Sequence, residues 1–203
     1  MGAYEIILAS ASPRRREILS MLRVPFTVVV ANANEDSETS DPALLVQELA
    51  LRKGDAVRTR LKGSGELHDN TLILASDTVV AIDGEILGKP RDEEDAKAML
   101  RRLSGKAHKV ISGIALLTGT RSVTAYEETE VRFSALSDEE IDRYVKSGEP
   151  MDKAGAYAVQ GLASVWIEGL SGDYFNVVGL PVHRLDVTLR EFVGVSLGEL
   201  LEV

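Results

Sequence analysis

The amino-acid sequence predicts a mixed α/β fold in one domain, with a mixed sheet flanked by helices and two lobes around a cleft. Strand-like apolar runs and helix start motifs interleave along the whole chain of 203 residues. Hairpin patterns interrupt this alternation, which favours a mixed sheet over a purely parallel one. The chain has no internal repeat and no low-complexity linker, so we expect no separate autonomous domains.

The first half of the chain indicates two helices among three strand regions. In order, these are a strand at 4–9, a helix at 13–22, a strand at 26–31, a helix from 42 to about 63 and a strand pair that starts at 72. The helices begin after Ser12 and Asp41, each followed by proline, which is the usual N-cap and first-turn combination. Asp83 and Gly84 favour a tight hairpin turn within the strand pair.

The second half indicates three more helices separated by strands. In order, these are a helix at 92–104, strands at 110–118 and 122–134, a helix at 137–147, strand-like pieces at 165–170 and 175–178, and a helix from 181 to about 193. Ser137 and Glu140 form a capping-box pattern, and Asp92 precedes three acids that suit a helix N-terminus. We expect the domain to span residues 1–193, followed by a C-terminal tail at 194–203.

Composition excludes several classes of protein. The hydrophobic fraction of 44% and the charged fraction of 27% are those of a globular chain. A formal net charge of -9 disfavours binding to nucleic acid and to anionic membranes. The absence of cysteine excludes disulfides and thiolate chemistry, and no apolar run approaches the length of about 18 residues that a membrane span needs. We expect a cytoplasmic protein that attracts any anionic ligand locally.

Three consecutive arginines, Arg14 to Arg16, occupy the first turn of the first helix. The helix dipole disfavours cations there, whereas free backbone N–H groups and guanidinium groups together suit a phosphate. The alternative is a solvated basic turn in which Arg16 pairs with a neighbouring acid. Successive helix positions differ by about 100°, so at most two of the three arginines can converge on one ligand.

Asp77 interrupts an otherwise apolar strand, where an unpaired carboxylate is unfavourable. A metal ion, a lysine or backbone donors at the end of the strand would compensate for it. The alternative is an aspartate at a point where the strand bends out to solvent.

Three further charged residues are ambiguous by themselves. Lys53 lies on the apolar stripe of its helix, where it is either buried or extends to an edge. Lys89 lies in a predicted loop, where a lysine is usually solvated. Glu35 lies in a polar loop, and if it meets Asp77 the two carboxylates offer the oxygen ligands that Mg²⁺ or Mn²⁺ prefers.

Several spaced motifs resemble one known family. They are Ala9-Ser10-Ala11-Ser12-Pro13-Arg14-Arg15, Ser76-Asp77-Thr78, Gly88-Lys89-Pro90, the run from Gly148 to Gly161 and the run from Gly172 to Pro181. In this order they resemble the Maf (septum formation) family of nucleoside triphosphate pyrophosphatases. The resemblance implies an elongated mixed sheet and a fold similar to that of inosine triphosphate pyrophosphatases, in a homodimer.

The resemblance also implies hydrolysis of a nucleoside triphosphate to the monophosphate and pyrophosphate with a divalent cation, Mg²⁺ or Mn²⁺. Asp77 is then the catalytic carboxylate, as general base or metal ligand, and Glu35 is a second acid of the metal site. The substrate-binding residues implied for the phosphates and their surroundings are Ser10, Ser12, Arg14, Arg15, Lys53 and Lys89.

Arg14, Thr78 and Gln160 stand at positions that separate nucleotide preferences within the family. The trio is similar to that of the branch acting on dTTP and UTP, and the glutamine amide offers the donor and acceptor that the imide edge of a pyrimidine requires. Two positions depart from the family's pattern, since Asn34 replaces one acid of the usual pair and Gly54 replaces a small helix former.

The alternative function is that of a regulator of cell division that binds a nucleotide without hydrolysing it.

Overall fold

The structure, a computed structural model, describes residues 4–201. Its strands are β1 Glu5–Leu8, β2 Phe26–Val28, β3 Thr71–Ile82, β4 Glu85–Leu87, β5 Ala107–Leu117, β6 Ser122–Phe133 and β7 Ile167–Ser171. Its α-helices are α1 Pro13–Met21, α2 Pro42–Ser64, α3 Glu93–Leu103, α4 Asp138–Val145, α5 Tyr174–Val178 and α6 Val182–Val193. Short 3₁₀ helices lie at Glu149–Asp152, Ala154–Ala156, Leu162–Trp166 and Leu197–Leu200.

The strands form an open mixed sheet flanked by helices. The strand order is β2-β1-β3-β5-β6-β7, and β4 pairs with β3. β1 is parallel to both β2 and β3, whereas β4 and β7 are antiparallel to their partners β3 and β6. The predicted mixed α/β fold is therefore confirmed.

The chain divides into two compact units, each with its own apolar core. Within the described residues, the first unit comprises 4–77, Ser112–Glu127 and 179–201, and the second comprises Thr78–Ile111 and Glu128–Val178. The core of the first unit includes Ile7, Ala50, Val57, Leu61, Ile73 and Leu117, and that of the second includes Val80, Leu100, Phe133, Ile141 and Tyr157. The expected cleft stays a prediction.

Local capping hydrogen bonds account for the predicted starts of α2 and α4. The Asp41 carboxylate accepts the backbone N–H groups of Ala43 and Leu44 at 2.8 and 3.0 Å, and the capping box of Ser137 at the start of α4 is present. Ser12 occupies the N-cap position of α1 and Pro13 follows it in the first turn, as predicted, although the Ser12 side chain makes no capping hydrogen bond.

The piece at 175–178 is helical, as α5, and the prediction of a strand there was wrong. The Asp173 carboxylate accepts the backbone N–H of Phe175 at 2.7 Å, which starts the turn. The fully buried Asn176 then donates its amide to the carbonyl of Val110 and the hydroxyl of Thr129. A short apolar run has no periodicity of its own, so such partners decide its conformation.

The segment after α6 packs back onto that helix within the described residues. Leu197 and Leu200 are buried, and the Leu197 N–H donates to the Asp186 carboxylate at 2.6 Å. Residues 202–203 of the expected tail lie outside the described residues, and the domain boundary at 193 stays a prediction. No helix within residues 4–201 is both long and apolar enough to cross a membrane.

Candidate active site

Asp77 and Lys53 form an ion pair in the first unit. Asp77 lies on β3 with 8% of its surface exposed, and Lys53 projects from α2 so that its Nζ is 2.5 Å from Asp77 Oδ1. The sequence left a metal ion, a lysine or backbone donors as partners of Asp77, and the structure shows that a lysine is one of its partners. The pair has lost most of its hydration, so a good geometry is needed to compensate for desolvation.

Glu35 joins this pair from the polar loop that precedes α2. Its Oε1 lies 3.3 Å from Lys53 Nζ, and its side chain is 62% exposed. One ammonium group therefore bridges a buried and an exposed carboxylate. Residues 35, 53 and 77, which are far apart along the chain, therefore meet at one ammonium group.

Arg15 is anchored beside the same carboxylates. Its Nε donates to the carbonyl of Gly179 at 2.8 Å and its Nη1 to the hydroxyl of Ser10 at 3.1 Å. Burial lowers the pKa of the Arg15 guanidinium to about 10, while the charges of Asp77 and Glu35 act in the opposite direction. The negative charge of Asp77 thus acts on the Arg15 guanidinium.

The two serines of the first motif support this arrangement. The hydroxyl of the buried Ser10, besides accepting from Arg15, accepts the backbone N–H of Ser12 at 3.2 Å. Ser76 donates its hydroxyl to the carbonyl of Gly179 at 3.0 Å, the same carbonyl that Arg15 uses. Arg14, the next residue along the helix turn, is half-buried. Ser10, Arg15, Glu35, Lys53 and Asp77 are therefore brought together within one unit.

The remaining predicted residues belong to the second unit. Thr78 follows Asp77 in β3 and is half-buried, while Lys89 and Gln160 are exposed in loops. The Gly155 N–H donates to the Gly88 carbonyl at 3.0 Å, which ties the loop of Lys89 to the run that carries Gln160.

Glu149 is a residue of the second unit to which sequence reasoning gave no role. Its two carboxylate oxygens accept the Leu162 N–H at 3.0 and 3.1 Å, and one of them accepts the Tyr144 hydroxyl at 2.9 Å. A Cβ at position 161 would lie 2.2 Å from Glu149 Oε1, so glycine allows the backbone to approach this carboxylate. This carboxylate fixes the turn that contains Gln160, and the Gly-Glu-Pro pattern at 148–150 is the signal that could have indicated it.

The carboxylates near Lys53 can be compared with the ligands that a divalent cation needs. Within residues 4–201, no group of three or more histidine, aspartate or glutamate side chains could hold a metal ion. Mg²⁺, however, is usually bound by one or two carboxylates together with the phosphates of a substrate. The Glu35 and Asp77 carboxylates, which share one cation in the structure, fit that mode of binding.

Known proteins resemble this chain over most of its length. A curated relative from Symbiobacterium thermophilum, "dTTP/UTP pyrophosphatase", is 50% identical over 189 residues, which cover 93% of this chain and 94% of the relative. Relatives of the same name from Bacillus mycoides and Bacillus cytotoxicus are 48% and 47% identical, each alignment covering 93% of this chain and 95% of the relative.

A solved structure of the Staphylococcus aureus Ham1 protein matches with a TM-score of 0.45 and 14% identity, over 64% of this chain and 71% of that chain. This similarity is too weak to support an inference. The family model described as "Maf-like protein" matches residues 5–192. The chain therefore belongs to the Maf-like family.

Proposed function

We propose that this chain is a hydrolase of acid anhydrides that converts dTTP and UTP, and modified pyrimidine nucleotides of the same shape, to the monophosphate and pyrophosphate. The observation that carries the proposal is the cluster of Arg15, Glu35, Lys53 and Asp77, in which cations and carboxylates share one site. The names of relatives that are about half identical to the chain give the reaction. The role in the cell would be housekeeping of nucleotide pools.

Recognition of a triphosphate follows from local charge. The chain as a whole is negative, with a formal charge of -9, so a polyanion needs a local concentration of cations. Arg14 and Arg15 lie at a helix N-terminus, where backbone N–H groups add to the positive potential. Lys53 supplies a further cation, and the family resemblance assigns Lys89 to the phosphates as well.

Asp77 holds or deprotonates the water that attacks phosphorus, at the α position. A carboxylate can orient such a water and accept its proton, and the Lys53 ammonium at 2.5 Å holds this carboxylate in place. The arginines and the lysine stabilise the negative charge on the phosphates, so most of the catalytic effect comes from positioning and electrostatics.

Glu35 and Asp77 would hold a divalent cation, Mg²⁺ or Mn²⁺. When bound, such an ion neutralises phosphate charge and polarises a phosphoryl oxygen. Neither histidine nor cysteine is needed, because hard cations of this kind prefer oxygen ligands.

Nucleotide preference is assigned to Arg14, Thr78 and Gln160. The Gln160 side chain is exposed in a turn that Glu149 holds, so its amide is available to the edge of a base. We further propose a homodimer, as the family resemblance implies, and a location in the cytoplasm, as expected from the sequence composition. Analytical ultracentrifugation of the purified chain measures whether it forms a dimer.

A nucleotide panel tests the proposed function. The purified full chain is incubated with dTTP, UTP, dCTP, CTP, ATP and GTP and with Mg²⁺ or Mn²⁺, with and without a chelator, and pyrophosphate and monophosphate are measured. We expect pyrophosphate and monophosphate in equal amounts. Their release should be fastest from dTTP and UTP, and the chelator should abolish it. Nucleotide binding without products would contradict hydrolysis and favour the non-catalytic regulator.

A further inference from the structure

The loop that carries Glu35 has no regular secondary structure of its own. Residues 29–41 contain neither helix nor strand, so their backbone polar groups need partners elsewhere. The Glu35 side chain is 62% exposed, yet its carboxylate is held 3.3 Å from Lys53 Nζ. Ordering an exposed glutamate costs conformational entropy, so the loop itself must be held in place. Residues 34–39 are called the Glu35 loop below.

Arg52 contacts the Glu35 loop on both sides of Glu35. Its Nη1 donates to the carbonyl of Asp36 at 2.5 Å and to the carbonyl of Asn34 at 3.3 Å. Arg52 is the neighbour of Lys53 in α2. One turn of this helix therefore holds both the backbone around Glu35 and its carboxylate.

Glu48 holds the other end of the Glu35 loop. Its Oε2 accepts the hydroxyls of Ser37 at 2.8 Å and Thr39 at 2.7 Å, and its Oε1 pairs with Arg52 one helical turn later. These hydrogen bonds lower the pKa of the Glu48 carboxyl below its usual value. The Glu48 carboxylate therefore binds both the loop and Arg52.

We infer that Glu48 and Arg52 form a clamp that positions Glu35 against Lys53 and Asp77. Neither residue touches the reacting atoms; they act through Glu35. The inference rests on the proposed function for the importance of Glu35, because there Glu35 contributes to the metal site. Partners that orient a metal ligand commonly change metal affinity or activity by about 10- to 100-fold when removed.

The same helix provides a matched control. Arg58 also lies on α2 and pairs with the acid Asp55, and its Nη1 donates to the carbonyls of Thr118 and Arg121 at 3.4 Å. It therefore holds a different loop by the same kind of contact. Replacing Arg58 by alanine removes one arginine from α2 without touching the Glu35 loop.

The experiment compares Arg52→Ala, Arg52→Lys, Glu35→Gln, the double variant Arg52→Ala/Glu35→Gln and Arg58→Ala in the full chain. Two quantities are measured for each. Hydrogen exchange reports the protection of the backbone in residues 34–39 and 118–121. Pyrophosphate release from dTTP gives the Mg²⁺ concentration for half-maximal rate and, at saturating Mg²⁺, kcat and KM separately.

We expect Arg52→Ala to raise exchange in residues 34–39 alone and to raise the half-maximal Mg²⁺ concentration about tenfold or more. Arg52→Lys should recover part of both effects. The double variant should resemble Glu35→Gln, since the clamp acts through that residue. Arg58→Ala should raise exchange at 118–121 and leave the Mg²⁺ dependence as in the wild type.

Unchanged exchange at 34–39 in Arg52→Ala would overturn the clamp. A Mg²⁺ effect of Arg52→Ala that adds fully to that of Glu35→Gln would also overturn it, because the two residues would then act independently. If the wild-type chain releases no pyrophosphate from any nucleotide, the proposed function fails. In that case hydrogen exchange still decides whether Arg52 orders the loop.

Discussion

At the scale of single residues, the proposed chemistry depends on a buried carboxylate with one close cation. Asp77 is 8% exposed and Lys53 lies 2.5 Å from it. Arg15 keeps its positive charge at neutral pH, because the pKa of about 10 that burial leaves it is still well above 7. Cations thus lie close to a largely buried carboxylate, where electrostatic interactions are stronger than in bulk water.

Asp77→Asn should lower the turnover of dTTP by roughly 100- to 10,000-fold, the usual contribution of a general acid or base. The amide has the shape of the carboxylate but neither its charge nor its basicity. Steady-state release of pyrophosphate at saturating Mg²⁺ measures the effect, with thermal unfolding as the control for folding. A near-wild-type rate would remove Asp77 from the mechanism.

Gln160→Glu should weaken the use of dTTP and UTP, because the carboxylate cannot donate a hydrogen bond to the base. The expected loss in kcat/KM corresponds to about 1 to 3 kcal/mol, the usual penalty for an unmatched polar group. The ratio of kcat/KM values between pyrimidine and purine nucleotides is the relevant measurement. An equal loss for every nucleotide would instead indicate that Gln160 serves the structure of its turn.

At the scale of elements, helix α2 organises the first unit. It carries Lys53 and, through Glu48 and Arg52, holds the Glu35 loop. Gly54 faces buried Leu117, and a Cβ at this glycine would lie 2.3 Å from Leu117 Cδ1. The departure from the family's pattern at Gly54 therefore has a packing reason, because the helix approaches β5 closely beside Lys53.

Two glycines of α2 should respond to alanine in opposite ways. Gly54→Ala gains about 1 kcal/mol of helix propensity but overpacks the core against Leu117, which costs about 1 to 3 kcal/mol, so the chain should be destabilised by up to about 2 kcal/mol. Gly63→Ala meets no atom within 4 Å and should stabilise the chain by up to about 1 kcal/mol. Urea unfolding of both variants measures this difference. Equal changes would show that the packing at Gly54 is not tight.

The predicted element boundaries succeeded where local chemistry decides them. The caps at Asp41 and Ser137 and the turn at Asp83, with φ of 52°, involve residues close together in sequence. The segment at 175–178 is a helix instead of the expected strand, because a turn starts at Asp173 and the buried amide of Asn176 bonds to a residue 66 positions away. A local pattern contains no information about such a partner.

At the scale of the whole molecule, a buried histidine of the second unit links stability to pH. His108 is 3% exposed, its Nε2 lies 2.8 Å from the Tyr157 hydroxyl, and its ring packs edge-on against Phe133. Burial lowers the pKa of His108 to about 4. Its ordinary pKa in an unfolded chain is about 6.5, so between these values the unfolded state binds more protons than the folded state.

The free energy of unfolding should therefore fall as pH decreases from about 6.5 to 4, by up to about 3 kcal/mol from His108 alone. Above about pH 6.5 this contribution is fully present. Urea unfolding between pH 4 and 7 measures it in the wild type, in His108→Gln and in His68→Gln, which changes an exposed histidine. We expect a shallower pH dependence for His108→Gln only. The same slope in all three proteins would contradict a neutral buried His108.

The sequence by itself determined the class of fold, most helix starts and the candidate site residues, because local patterns along the chain reveal all three. A carboxylate in an apolar strand and arginines in a first helical turn are visible without coordinates. The tertiary structure decided which partners they have. Lys53 reaches Asp77 across 24 positions and Arg15 reaches the Gly179 carbonyl across 164, since packing of distant segments, not local pattern, brings such groups together.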